Sequence, residues 1–359
     1  MKRIKIIGLL FTLCSLSIAM ILTGAPEKKE GSVFTEDYTI DLKKVSPSLG
    51  NVIDMDVDSA GNLYLLDTKS CKVVMLTNKG EIKGEFGKKG AKPGEIDNPS
   101  NIRLTASGQV VLADIIISRF SFFNKDGKFV KEMRFEPGAA EGFMLDNGNF
   151  ILKKFVYPTY RGGNMTYSSV LYNSASIEIK PLDTMERPTP QAPKELGIFY
   201  HMGVGISKDK IITGNQVRGY DFWVSDFSGK LIRHIQRKST PVQPWEDYKK
   251  AFIRNFGESY DLIKNKLEFP KVLPAFHYFA TDEDGRLFVM TYEKDKVSGG
   301  YMVDIFGPDG GFVTRAALRF PMLDKGTLRI KNNRLYYLHK NETGFQQISV
   351  YKIDLKKSK

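Results

Sequence analysis

Three observations predict an all-β fold for this chain. Residues 49–87 contain four short strands with alternating apolar side chains, separated by three turns, two of which contain glycine. The same four-strand pattern recurs along the rest of the chain, and the 32 glycines and 16 prolines supply turn residues for many short strands. The sequence therefore predicts a six-bladed β-propeller of four-stranded antiparallel blades. A sandwich or a barrel built from the same strands is the alternative.

The later copies of the pattern follow in order. The second copy covers residues 100–135, and the next three begin at residues 142, 200 and 276. The sixth copy, from residue 327, has only three strands, while one unpaired strand at residues 38–44 precedes the first copy. We predict that strand 38–44 completes the last blade, because closing the ring removes the exposed sheet edges.

The N-terminus has the character of a membrane-targeting segment. Basic residues at positions 2, 3 and 5 precede the uncharged stretch 6–25. Residues 1–25 are therefore predicted to be a signal peptide, cleaved after Ala19 or near Ala25, or an uncleaved membrane anchor. Residues 26–359 then form a single propeller domain that is periplasmic, secreted or anchored by the N-terminal segment.

Cysteine content and charge limit the partners of this domain. Only Cys71 remains beyond the leader, so no intramolecular disulfide is expected. The net charge of +12 favours anionic partners, but export argues against nucleic acid. We expect a monomer that meets a membrane only through its N-terminal segment.

Long connections are expected on one face of the propeller only. The turns between the first and second strands and between the third and fourth strands are short in every copy. The long segments belong to the other two classes of connection, which emerge on the opposite face: 87–99, 156–167, 181–199, 238–274 and 293–300. Loops that lengthen on one side of a rigid scaffold usually carry its binding function, so we assign function to this face.

Two of these connections supply candidate ligand contacts. Aromatic residues recur at helical spacing from Trp245 onward, which predicts a helical insertion, 238–274, between blades four and five. Its aromatic stripe either packs the helix onto the propeller or lines a pocket. Tyr157, Tyr160 and Arg161 in segment 156–167 suit sugars or anionic ligands. Segment 181–193 is rich in proline and is expected to be an extended strap.

Blade one resembles an NHL repeat. The stretch IDMDVDSAGNLYLLDTKSCKVVMLTNKGEIKGEFGKKGAKPGEIDNPSNI is similar to that family in its VD, its GNLYLLD and its FG…G…PGE…P linker. The resemblance implies a six-bladed propeller. The family includes an amidating lyase, sensor domains, RNA-binding modules and many exported bacterial proteins, so the resemblance by itself implies a fold and no single activity.

The histidines suggest a metal hypothesis. Alignment of blades four and five places His201 and His277 at the same position, where the first strand begins on the elaborated side. In the amidating lyase of this family inner-strand histidines bind a metal, and Ser100 stands where a further ligand is expected. Two imidazoles need a carboxylate, such as Glu141, to complete a zinc site. The alternative is that both histidines bond to backbone or water.

Most enzyme signatures are absent from the sequence, which has no HExxH, CxxC or GxSxG and no complete phosphate loop. The aspartates at positions 54, 56, 58 and 67 surround one turn and are expected to cap it. The function that we predict is non-catalytic binding of a protein, peptide or glycan by the face that carries the long connections. The alternative is a lyase or hydrolase that uses a divalent metal at His201 and His277.

Overall fold

The computed structural model describes residues 32–47, 49–157, 163–188, 201–256, 269–320, 327–341 and 343–358. Within these residues lie 24 strands in six antiparallel four-stranded sheets, so the predicted six-bladed propeller is confirmed. The predicted leader, residues 1–25, lies outside the described residues, as do Tyr160 and Arg161. No helix among the described residues is long and apolar enough to cross a membrane.

Blades one to three use consecutive strands from the inside outward. Blade one comprises β2 (Val52–Val57), β3 (Leu63–Asp67), β4 (Lys72–Leu76) and β5 (Ile82–Phe86). Blade two comprises β6 (Pro99–Leu104), β7 (Val110–Asp114), β8 (Arg119–Phe123) and β9 (Phe129–Arg134). Blade three comprises β10 (Ala139–Met144), β11 (Phe150–Val156), β12 (Asn164–Tyr172) and β13 (Glu178–Pro188). Its last two strands are longer than those of blades one and two.

Blades four and five follow the same order, with a helix between them. Blade four comprises β14 (Met202–Ile206), β15 (Lys210–Asn215), β16 (Asp221–Asp226) and β17 (Leu231–Gln236). Helix α2 (Glu246–Phe256) lies within the predicted helical insertion. Blade five comprises β18 (Tyr278–Thr281), β19 (Leu287–Lys294), β20 (Tyr301–Phe306) and β21 (Phe312–Leu318).

The sixth, closing blade joins the two ends of the chain. It comprises β22 (Thr327–Lys331), β23 (Arg334–Lys340), β24 (Gln346–Ile353) and, as its outermost strand, β1 (Phe34–Asp41). Strand β1 runs antiparallel to β24, with Phe34 opposite Ile353 and Asp41 opposite Gln347. The strand predicted at 38–44 thus begins earlier and ends at Asp41. Residues 42–44 belong instead to the short helix α1 (Leu42–Val45), because the Asp41 carboxylate accepts a hydrogen bond from Lys43 N at 3.0 Å and caps it.

Residues 181–188 of the predicted proline-rich strap are extended as expected, but they belong to a blade and do not cross the face, while residues 189–193 lie outside the described residues. Residues 178–188 form β13, which pairs with β12 along its length. Proline is accepted there because β13 is the outer strand of its blade, so one side of it has no ladder partner. Leu182 is the extra residue of a bulge, since Ser169 pairs with Asp183 and Val170 pairs with Pro181.

Apolar layers between blades form the core. Between the closing blade and blade one the buried side chains come from both sheets and include Ile40, Met55, Leu65, Tyr336 and Ile348. Alternating strand residues place these side chains on facing sheets. Burying each contributes roughly 1.5–3 kcal/mol relative to leaving it exposed. The blades are therefore held to one another mainly by apolar contact.

Buried carboxylates add specific ties between blades one and two. Asp54 Oδ2 accepts from Ile102 N at 3.0 Å, and Asp56 Oδ2 accepts from Leu104 N at 2.7 Å. Only Asp58 caps the turn after β2, accepting from Asn62 N at 2.8 Å, while Asp67 caps the loop that leads into β2. The expectation of turn capping thus applies to two of the four aspartates.

The two ends of the blades differ. At one end, here called the plain face, tight turns join the first strand to the second and the third to the fourth, with glycines such as Gly61 (φ 84°) and Gly127 (φ 82°) in the left-handed region. The opposite end, here called the loop-rich face, carries the second-to-third connections and the linkers between blades. Asp354 N donates to Val33 O at 2.9 Å on the plain face, so both ends of the described domain lie there.

Candidate functional site

The first strands of neighbouring blades line the centre of the propeller. Contacts between first strands include β2 with β6, β6 with β10, β18 with β22 and β22 with β2. The third residue of four of these strands is polar: Asp54, Asn101, Glu141 and Arg329. These four side chains therefore belong to strands that border the central channel.

His277 lies at the loop-rich end of the channel wall, directly before β18. Its backbone N donates to Met290 O at 2.8 Å, and its ring meets the Tyr292 ring edge-on at 5.0 Å. Burial, together with the nearby His201, lowers the pKa of His277 to about 4, so the imidazole is neutral at pH 7. The buried Nδ1 atom has no hydrogen-bond partner among the described residues.

His201 lies beside His277 and is more exposed. One side chain between them, Gln216, ties the two segments together. Gln216 Oε1 accepts from His201 N at 2.9 Å, and its Nε2 donates to Phe276 O at 2.8 Å and to His277 O at 2.9 Å. The structure thus brings the two predicted histidines together. Sequence reasoning missed Gln216, because its role depends on a contact between two connections that are distant in the chain.

The donor set around the two histidines does not fit a catalytic zinc site. Such sites use three protein ligands, and the described residues contain no group of three His, Cys, Asp or Glu side chains that could hold a metal ion. Glu141, the carboxylate expected to complete the set, pairs with Lys153 Nζ at 2.8 Å. The Ser100 hydroxyl donates a hydrogen bond to Ala113 O at 3.3 Å, so it bonds to the neighbouring strand of its own blade.

Farther into the channel, Tyr278 and Arg329 extend the polar lining. Tyr278 lies among the first strands yet is 41% exposed, so it faces the channel opening. Although part of the Tyr278 side chain reaches solvent, the surrounding strands shield its hydroxyl from water and raise its pKa, and the positive charge of Arg329 opposes that shift. Arg329 donates from Nη2 to Asp54 Oδ1 at 2.6 Å and from Nη1 to Leu328 O at 3.0 Å. The channel is therefore a charged and hydrogen-bonded surface, which the sequence did not reveal as a site.

A cavity opens beside the channel on the side of blade three. Its volume is about 150 Å³, enough for one amino-acid side chain. The wall combines the Glu141–Lys153 ion pair with the apolar surfaces of Phe155, Met185 and Tyr167, and His201 borders it. The cavity therefore offers an apolar recess next to paired opposite charges. We call it the blade-three cavity.

Exposed apolar residues continue from this cavity along the end of β11. Phe155, Val156 and Tyr157 are 43%, 61% and 66% exposed, respectively. The Phe155 ring lies edge-on to Tyr167 at 5.5 Å and to Tyr157 at 6.5 Å, which holds the group together. The structure thus places Tyr157, a predicted contact residue, next to the cavity. We call residues 155–157 the aromatic rim.

Trp245, another predicted contact, lies away from the blade-three cavity. It precedes α2 and packs against Tyr248 at 5.5 Å and Tyr301 at 6.2 Å between ring centroids. Lys294 Nζ lies 4.8 Å from the centre of its ring. These contacts anchor the helical insertion on blade five, and Trp245 does not line the cavity.

Comparisons with known proteins support the fold and no specific activity. No protein-family model matches the chain, and no curated protein matches its sequence. A Bacteroides fragilis protein named as an exported protein has 13% identity and a TM-score of 0.57, over 90% of this chain and 96% of that chain. A DUF4221-family member from Bacteroides vulgatus has 14% identity and a TM-score of 0.56, over 91% and 99%. Virginiamycin B lyase from Staphylococcus aureus has 9% identity and a TM-score of 0.44, over 89% and 100%.

Proposed function

We propose that this protein is an extracytoplasmic, NHL-like propeller that binds a protein or peptide segment through its loop-rich face, with no catalysis of its own. A glycan is the other ligand class for this face. Support for export comes from the basic and then uncharged residues 1–25 and from the similarity to a protein named as exported. Support for the NHL assignment comes from the blade-one motif at residues 53–102.

The observation that carries the proposal is the aromatic rim beside the blade-three cavity. Three consecutive apolar residues, 155–157, are exposed where β11 ends, although the strand begins with the buried residues 150–152. Exposed aromatic side chains next to a recess are typical of protein contact sites, where a few aromatic anchors carry most of the binding energy. The recess can accept one side chain of the partner.

Charge at the cavity suits a peptide better than a neutral sugar. Glu141 and Lys153 lie in the wall, and Lys154 pairs with Glu136 at 3.4 Å nearby. A peptide backbone or a charged side chain can bind between groups of both signs, which fix orientation rather than add much affinity. We therefore place a protein or peptide ahead of a glycan.

The metal-dependent lyase or hydrolase has less support. It requires a third ligand beside His201 and His277, and the nearest predicted one, Glu141, is held by Lys153. Metal analysis of the purified protein tests this alternative directly. Stoichiometric metal that is lost in both His201→Ala and His277→Ala would establish it in place of the binding role.

Selection from a displayed peptide library, run in parallel with a glycan array, tests the proposal. We expect enriched peptides whose affinity for the protein falls by about tenfold or more in Tyr157→Ser, because an aromatic anchor is removed. Ile177→Ser is the matched control, since Ile177 is 63% exposed in the same blade but lies on the plain face. Glycan binding without peptide binding, or peptide binding that Tyr157→Ser leaves unchanged, would contradict the proposal.

A further inference from the structure

A second cavity lies where the closing blade meets blade one, far along the ring from the blade-three cavity. Its volume is about 260 Å³. We call it the seam pocket, and its wall is formed by α1 and the following linker, by the start of blade one and by the turn between β23 and β24. Its charged and apolar wall residues are Leu42, Lys43, Pro47, Leu49, Lys340 and Phe345. All lie on the loop-rich face.

Positive charge dominates the described wall of the seam pocket. Lys43 and Lys340 line it, and no described lining residue is acidic. Asp41, close by in sequence, is turned toward α1, where it caps Lys43 N at 3.0 Å. Asp67 lies behind the wall and accepts four hydrogen bonds, from Gly50 N, Asn51 N, Lys69 N and Ser70 Oγ, at 2.9–3.1 Å. Glu342 follows Lys340 in the sequence but lies outside the described residues.

One of the two ammonium groups is held in place by an aromatic ring. Lys43 Nζ lies 3.7 Å from the centre of the Phe345 ring, which is itself 43% exposed. A cation–π contact of this kind restricts the lysine at the pocket wall and leaves its N–H groups able to meet an anion. The ring together with Leu42, Leu49 and Pro47 supplies an apolar surface next to the charge.

Two neutral polar side chains of the pocket wall, Gln346 and Asn51, already form hydrogen bonds within the protein. Gln346 exchanges hydrogen bonds with the backbone of Val52, accepting at 2.9 Å and donating at 2.6 Å. Asn51 Nδ2 donates to Thr68 Oγ1 at 2.9 Å. Few groups are therefore left to recognise the many hydroxyls of a neutral sugar. The remaining recognition chemistry is two cations beside an apolar and aromatic wall.

We propose that the seam pocket binds a ligand in which a carboxylate or phosphate is joined to an apolar or aromatic body. The anion lies between Lys43 and Lys340, and the body packs on Phe345 and the leucine and proline side chains. Because one wall follows β1 and the others belong to β23, β24 and blade one, such a ligand fastens the seam at which the ring closes. Binding then raises the melting temperature. The site is independent of the peptide-binding role proposed above.

Calorimetric titration and thermal unfolding of the full chain test the proposal with four probes. The probes are phenyl phosphate, phenylacetate, inorganic phosphate and benzyl alcohol. We expect the two aromatic anions to bind and to raise the melting temperature, and the neutral alcohol and the bare anion to bind more weakly. Lys43→Met and Lys340→Met are each expected to raise the Kd by about threefold, and the double variant by about tenfold. Phe345→Leu should weaken the aromatic anions more than inorganic phosphate.

Lys79→Met is the matched control, because Lys79 is an exposed lysine in a turn on the plain face. Unchanged melting temperatures of the variants without ligand establish that the fold is intact. Equal affinity in the wild type and the double lysine variant would overturn the proposal. An equal loss of affinity in Lys79→Met, or equal affinity for benzyl alcohol and the aromatic anions, would also overturn it. The same holds if neither aromatic anion gives binding heat at about 10 mM, because the Kd would then be too weak for a specific site.

Discussion

Asp54 Oδ1 accepts a hydrogen bond from Arg329 Nη2 at 2.6 Å, which links the first strand of blade one to the first strand of the closing blade. The other oxygen of the same carboxylate accepts from Ile102 N at 3.0 Å. One side chain therefore holds three adjacent blades together at the channel. Burial raises the pKa of Asp54 to about 6, and the charge of Arg329 opposes that rise.

Arg329→Met is expected to destabilise the fold in a pH-dependent way. The folded pKa of Asp54 lies above its ordinary value of 3.8, so the folded chain binds more protons between these values and stability falls as pH rises through them. Without Arg329 the buried carboxylate loses its partner, which costs about 3 kcal/mol at pH 8 and less at pH 4. Urea unfolding at both pH values measures the difference. Arg134→Met, at an exposed arginine, is the control, and an equal loss at both pH values would contradict the argument.

His277→Phe should reduce the loss of folding stability that the wild type shows between pH 6.5 and pH 4. The folded pKa of His277 is about 4, below the ordinary 6.5, so the unfolded chain binds more protons between these values. Stability therefore rises with pH across that window in the wild type and is lost as pH falls through it. Relative to the wild type, the variant should gain up to about 3 kcal/mol on going from pH 6.5 to pH 4. Unfolding midpoints at half-unit steps of pH, with His234→Gln as control, give the result; parallel curves for His277→Phe and the wild type would refute it.

Asp304 is expected to be one of the most sensitive polar positions in the fold. It is fully buried and accepts from Tyr220 Oη at 2.7 Å, from Arg315 Nε at 2.6 Å and from Arg237 Nη1 at 3.2 Å. Asp304→Ala removes the acceptor of the buried Tyr220 hydroxyl and the buried counter-charge of two half-buried arginines, and should cost about 3–5 kcal/mol. Tyr220→Phe removes one hydrogen bond and should cost about 1–2 kcal/mol. Denaturant unfolding ranks the two, and a smaller loss for Asp304→Ala than for Tyr220→Phe would show that the arginines do not depend on Asp304.

Ile40→Ala tests the contribution of the closing strand. Ile40 is 5% exposed and packs into the layer between the closing blade and blade one. Truncation of Ile40 should lower the free energy of unfolding by about 3 kcal/mol. The deleted atoms leave a cavity between two sheets, and the sheets cannot both move to fill it. Ile82→Ala, at a residue that is 53% exposed on an outer strand, should change stability by less than about 0.5 kcal/mol. Similar losses for the two variants would mean that β1 contributes little to the core.

The repeat made the fold predictable from sequence. Each copy carries the period-2 alternation of a strand and a turn of fixed length, so the strands could be placed in four-membered groups. Two departures arose where local chemistry overrode the pattern. Asp41 begins a helical turn where continued strand was expected, and Pro181 lies in a strand because that strand has a free edge.

The site was predictable only where the repeat itself pointed to it. Equivalent positions in two blades placed His201 and His277 together, and Tyr157 lies next to the blade-three cavity through its contact with Phe155. The contacts that define the channel and the seam pocket join residues hundreds of positions apart, such as Asp54 and Arg329, and no local pattern records them.

Pairing of β1 with β24 has a consequence for the order of events during synthesis. Among the described strands β1 comes first in the chain and its partner β24, residues 346–353, comes last, so β1 stays unpaired until the rest of the propeller has been made. Contacts between such distant segments form late, because closing a long loop costs entropy before any contact compensates for it. The backbone groups of β1 therefore lack their ladder partners until β24 is present. Because unpaired strands favour wrong pairings, we expect the chain to be most prone to misassembly in that interval.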